Sequence, residues 1–144
     1  MPWPDRRGTQ LASAAMTTTP PIARLNAIAL DCADPAELAT FYAAVLGTEI
    51  DDAESHDHDW TQLRPAGGSG VAVAFQQVAD HRPPQWPGAE HPQQLHLDLA
   101  VDDLDAGEAA VVALGARKHT VQPGETFRVF LDPAGHPFCL VLGV

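Results

Sequence analysis

The sequence predicts an α+β fold built from two small βαβββ modules, and two observations carry that expectation. Stretch 94–116, QLHLDLAVDDLDAGEAAVVALGA, repeats the plan of stretch 26–47, NAIALDCADPAELATFYAAVLG, at an offset of roughly 69 residues, too long for a solenoid unit and suited to fused half-domains. In each copy alternating apolar positions (Ile28, Leu30, Cys32; Leu95, Leu97, Leu99, Val101) reach an aspartate (Asp34, Asp103), and an amphipathic helix follows that ends in Leu-Gly. At 144 residues the chain suits one domain, so the modules are expected to share one core.

Residues 1–21 read as a disordered N-terminal extension, lacking periodicity and rich in proline and threonine. Met16 reads as a natural start, and Arg6-Arg7 lacks the apolar stretch that an export signal needs. Residues 22–144 form the domain, with one module at about 22–80 and the other at about 94–144. The first strand is expected at 24–32. Asp34 is a good N-cap, Pro35 suits the first helical position, and Glu37 favours the positive end of the helix, which should run to Leu46 with Phe41 and Tyr42 in the core.

Further strands are expected at 48–53, 60–64 and 71–78. The acidic tip between the first two of these, ESHDHDW, carries His56 and His58; alternate strand positions could meet one ion, but a solvated turn is the plainer reading. Residues 79–93, with four prolines, must cross between the modules, and Trp86 on that stiff segment should lie across a pocket mouth or plug a subunit seam. The second module then offers a strand at 94–101, a helix at 104–114 capped by Asp102 or Asp103, and strands at 117–121, 126–131 and 137–142.

Strand parity separates two faces. Ile28, Leu30, Cys32, Val71, Val73, Phe75, Leu95, Leu97, Leu99, Phe138, Leu140 and Leu142 form a large apolar set that should meet the helices. The opposite set is small and sparsely polar: Ala27, Ala29, Asp31, Ala72, Ala74, Gln76, His96, Asp98, Ala100, Pro137, Cys139 and Val141. Small side chains on a concave face leave room for a ligand, and His96 and Asp98, two apart on one strand, point into it as an orienting or acid/base pair.

Composition narrows the partners. Nineteen acidic against eight basic residues give a net charge of −11, which disfavours nucleic acid and anionic lipid and favours neutral or cationic ligands. No apolar run approaches a membrane span. Cys32 and Cys139 lie in separate apolar runs, in keeping with a reducing cytoplasm.

LDCADPAELATFYAAVLG at 30–47, RPPQWPGAEHPQQLHLDLAVDDLDAGEAAVVALGA at 82–116 and FRVFLDPAGHPFCLV at 127–141 together resemble the vicinal oxygen chelate superfamily, in particular its small glyoxalase-like and bleomycin-resistance-like bacterial proteins. The resemblance implies eight strands curving into a half-barrel with a central cleft, and a homodimer. Its enzymes hold a divalent metal at four positions, which fall here on Ala27, on Ala74 or a neighbour, on His96 and on Cys139. Alanine offers no donor, His96 is the one ordinary ligand, and Gln76 reaches in only if the register differs. The expectation is therefore a protein without cofactor that binds a small molecule through Trp60, Gln76, Trp86, His96, Asp98, Phe127 and Cys139. The alternative is a lyase, isomerase or dioxygenase using His96 with a divalent metal, or His96 and Asp98 as catalytic acid and base without one.

Overall fold

The computed structural model describes residues 20–68 and 70–143. The extension expected at 1–21 lies, except for its last two residues, outside the described residues, as do the start-site and export-signal readings. Two modules follow in the expected order: β1 (Ala27–Cys32), α1 (Pro35–Leu46), β2 (Trp60–Gln62) and β3 (Ala72–Gln77), then β4 (Leu97–Val101), α2 (Leu104–Ala113), β5 (Arg117–Lys118), β6 (Phe127–Leu131) and β7 (Pro137–Leu142). They form two separate mixed sheets, ordered β1-β3-β2 and β4-β7-β6-β5. In both, the module's first strand pairs in parallel with its last, because the intervening helix carries the chain across the sheet.

Local chemistry accounts for the helix starts. Asp34 and Asp103 lie in extended backbone, and their carboxylates accept from the amides of Glu37 and Ala106, satisfying donors the first turn leaves free. Gly47 ends α1 at φ 63° and its amide reaches back to the Ala43 carbonyl, a left-handed cap that glycine adopts without steric cost.

Parallel register sets Leu30 beside Phe75, Leu97 beside Phe138 and Leu99 beside Leu140, so the apolar face of each sheet meets its helix. The core joins both modules: Leu38, Phe41, Tyr42 and Phe75 from the first cluster with Leu104, Val111, Phe130 and Phe138 from the second. Aromatic rings fill the join. Phe41 and Tyr42 on α1 meet Phe138 edge-on, while Tyr42 stacks on Phe75 and Phe130 on Phe138.

Several expected boundaries shift. The strand expected at 48–53 narrows to one bridge, Ile50 to Leu63, because Asp51 and its neighbours turn into the acidic loop; seven full strands are present among the described residues. β1 begins at Ala27 rather than residue 24, and β5 stops at Lys118. β4 begins at Leu97, since Gln94 takes a left-handed φ of 57°. Leu95 therefore faces solvent at 53% exposure, and Leu142, at the last position of β7, is 44% exposed, so neither joins the helix-facing set.

Candidate functional site

β4 and β7 run in parallel with Asp98 opposite Cys139, and the two-residue strand period brings His96 onto the same face. Their donor atoms all lie within 4.8 Å of one another, with His96 Nε2 3.2 Å from Asp98 Oδ1. Burial first, and then the charge and hydrogen bond of Asp98, push the Cys139 thiol up to about 12, so the thiol stays protonated at neutral pH. One imidazole, one carboxylate and one sulfur make a donor set that a borderline-soft ion such as zinc accepts. The first sheet adds none: Ala27 lies opposite Ala72 and Ala29 opposite Ala74. The asymmetry follows directly from the sequence difference between the copies.

Beside this trio opens a cavity of about 600 Å³ along the seam between the modules. β1 gives it Ala29 and Asp31, the residues around the start of β4 give Leu95, His96 and Leu97, and the proline-rich crossing supplies the largest share of the remaining wall. Prolines fix that wall as extended backbone, so it stands without a strand's hydrogen bonds. A second, nearly filled space of about 10 Å³ lies on the other side of His96, among Trp86, Phe127, Val129, Pro137 and Cys139. His96 and Pro137 border both spaces. Trp86 there meets His119 edge-on, ring centroids 5.1 Å apart.

Of the residues expected to contact a ligand, His96, Asp98 and Cys139 are brought together, and Trp86 and Phe127 adjoin them. Trp60 and Gln76 face each other across β2 and β3 and line neither cavity. His56 and His58 are exposed and belong to no metal-competent group among the described residues.

A second polar cluster escapes sequence reading. Asp132, wholly buried at the turn after β6, accepts from the amides of Ala134 and His136 and from the Tyr42 hydroxyl, and it lies 2.8 Å from His136 Nδ1. Burial pushes His136 down, but the bond and charge of Asp132, with Asp31 beyond, outweigh it and hold the imidazole above its ordinary value. Burial, then Asp132, pushes the Tyr42 hydroxyl far up. His136 lines the seam cavity, and the His81 ring packs 5.4 Å from it. The available signal was the spacing of Asp132 and His136 around Gly135, which reads equally well as an ordinary turn.

The Glyoxalase-like domain family matches residues 27–141. Solved structures share the fold. A glyoxalase/bleomycin resistance protein/dioxygenase family enzyme from Burkholderia phytofirmans PsJN is similar at 15% identity and TM-score 0.64, over 85% of this chain and 100% of its own. TnmS3, an antibiotic binding protein from Streptomyces sp. CB03234, is similar at 21% identity and TM-score 0.56, over 85% and 98%. The fosfomycin resistance protein FosX from Mesorhizobium loti is similar at 19% identity and TM-score 0.60, over 85% and 94%. No curated protein sequence matches the chain.

Proposed function

Because the chain belongs to the glyoxalase-like domain family, we propose that it is a receptor for a small organic molecule, held in the seam cavity beside His96 without a complete metal site. The observation that carries this reading is the cavity itself. At about 600 Å³ it has the size of a small-molecule site, with a wall that mixes apolar side chains with charged and polar ones such as Asp31, Arg82, Glu90 and His96. His96, fixed by Asp98 at 3.2 Å, supplies one of those groups, and Trp86 and Phe127 back it from the far side. An antibiotic binding protein among the structures of this fold accords with such a role. The family habit supports a homodimer, and two free, buried thiols support a reducing cytoplasm.

The test is titration of 1-naphthol, followed by tryptophan fluorescence, on protein stripped of metal with chelator. Saturable binding that weakens by about tenfold in His96→Ala, a loss of one buried hydrogen-bonding group, supports the receptor. No saturable binding overturns it.

A second reading rests on the trio at His96. If the protein is an enzyme, either His96 and Asp98 act as an acid/base pair without metal, or His96, Asp98 and Cys139 would hold a divalent ion, which supplies Lewis-acid chemistry when bound. Stoichiometric zinc, nickel, manganese or iron in protein purified without chelator, lost on His96→Ala, would establish this reading over a metal-free receptor.

A further inference from the structure

The seam cavity meets β1 edge-on. Ala29, Leu30 and Asp31, consecutive in the strand, all border it, as do Leu95, His96 and Leu97 at the start of β4. Successive side chains of a strand point to opposite faces, and that of Leu30 is buried in the core. A space that touches all three therefore lies against the main chain of the strand, and the cavity is a slot between two strand edges.

The hydrogen-bond pattern shows which main-chain groups point into the slot. β1 is the terminal strand of its sheet and pairs with β3 alone, in unbroken register from Ala27 to Cys32. The carbonyls of Asn26 and Cys32 accept from the amides of Ala72 and Val78. The N–H and C=O of one strand residue point to the same side, and the side alternates along the chain, so the even-numbered residues of β1 bond to β3. Ala29 turns its N–H and C=O the other way, toward the slot.

That edge has no partner strand: among the described residues no backbone bond joins β1 to β4. Ala29 itself is exposed, and its methyl group leaves the main chain uncovered. At the next outward position, Asp31, the His136 imidazole lies against the main chain, so Ala29 is where this edge offers the cavity both a donor and an acceptor. An unpaired strand edge is a template for another extended backbone. Asp31, Asp80 and Glu90 line the slot against Arg82, a balance that disfavours a carboxylate on the incoming molecule.

We propose that the main chain of Ala29 is a recognition site for amide groups, and that the ligand class is a small peptide-like molecule without a carboxylate, lying extended in the slot, accepting from the Ala29 N–H and donating to its C=O. This rests on the receptor reading above and adds the chemical class of the ligand and the contact that selects it.

Three probes test it on the full chain: N-acetyl-3-(1-naphthyl)alanine methylamide, the same molecule with both amide nitrogens methylated, and 1-naphthol. Wild-type protein should bind the parent amide about three- to tenfold more tightly than its methylated form, the loss of a hydrogen bond to the edge. Amide hydrogen exchange gives a direct readout. In the free protein Ala29 should exchange fast and Leu30 slowly, and saturation with the parent amide should slow Ala29 by about tenfold or more. Ala29→Pro removes the outward N–H and takes no bond from the ladder with β3; it should lose the preference for the parent amide and bind 1-naphthol as before. If the methylated probe binds as tightly as the parent, or Ala29 exchange is unchanged at saturation, or 1-naphthol binds and the amide does not, the assignment falls and the receptor reading stands. If none of the three binds, the receptor reading falls and takes the assignment with it.

Discussion

The Tyr42 hydroxyl donates to Asp132 Oδ2 at 2.8 Å across 90 residues of chain, joining α1 of the first module to the turn after β6 of the second. Both groups are fully buried, so the bond is made where water cannot replace it. Tyr42→Phe leaves the carboxylate short of one donor and should cost about 1–3 kcal/mol of unfolding free energy. Asp132→Ala, which strands the Tyr42 hydroxyl, the His136 imidazole and two amides together, should cost about 3–5 kcal/mol. Urea denaturation measures both; equal and negligible losses would show that the seam is held by the aromatic packing alone.

His136 gives the seam a pH signature. Its folded-state value is raised, so the folded protein holds the proton more firmly than the unfolded chain. The resulting stability is complete below the unfolded imidazole value of about 6.5 and fades as pH rises through the raised folded value. The groups facing it are Asp132, Asp31 and the His81 ring. Relative to His136→Gln, wild-type protein should show a urea midpoint that declines between about pH 6 and pH 8. A difference that is constant or grows over that interval contradicts the assignment.

Both thiols should be inert. Cys32 is fully buried and is pushed up to about 11, first by burial and then by Asp132, Asp34 and Asp31; Cys139 reaches about 12. At pH 8 iodoacetamide should label native protein more than about a hundredfold slower than urea-unfolded protein, since the thiolate is the reactive form. Fast native labelling of Cys139 would show that Asp98 does not stand beside it.

Gly135 ties the crossing segment to the second module. Its φ of 93° disfavours any side chain, and a Cβ there would fall 2.5 Å from Pro83 Cβ. Gly135→Ala should lose about 2 kcal/mol or more and open the crossing segment to proteolysis between residues 79 and 93. Loss of stability with the segment still protected would mean that the strain is absorbed within the turn.

How far the sequence carries these conclusions varies with the range of the interaction. Asp34 declared itself as a cap, and the second cap was narrowed to Asp102 or Asp103, of which the structure uses Asp103, because a cap is decided within four residues. Pro137–Leu142 came out as a strand at the expected bounds, and strand parity put His96, Asp98 and Cys139 on one face, since a two-residue period leaves no other choice. The reach of each strand was less legible: a left-handed Gln94 delays β4, and the acidic loop reduces residues 48–53 to a bridge. The Tyr42, Asp132 and His136 cluster was hidden because its members belong to different modules. Phe41 and Tyr42 look alike as helix-face aromatics until the partner of the hydroxyl is known. The seam cavity was hidden for a related reason: much of its wall belongs to a segment with no periodicity to read.

That segment lies outside both copies of the repeated strand and helix plan. The repeated strands and helices answer for folding, while the crossing between them carries His81 and Arg82 to the cavity. On the receptor reading proposed above, substitutions at the fifteen positions 79–93 would alter a large part of the cavity wall without touching either copy, a division of labour that resembles a framework and its variable loop.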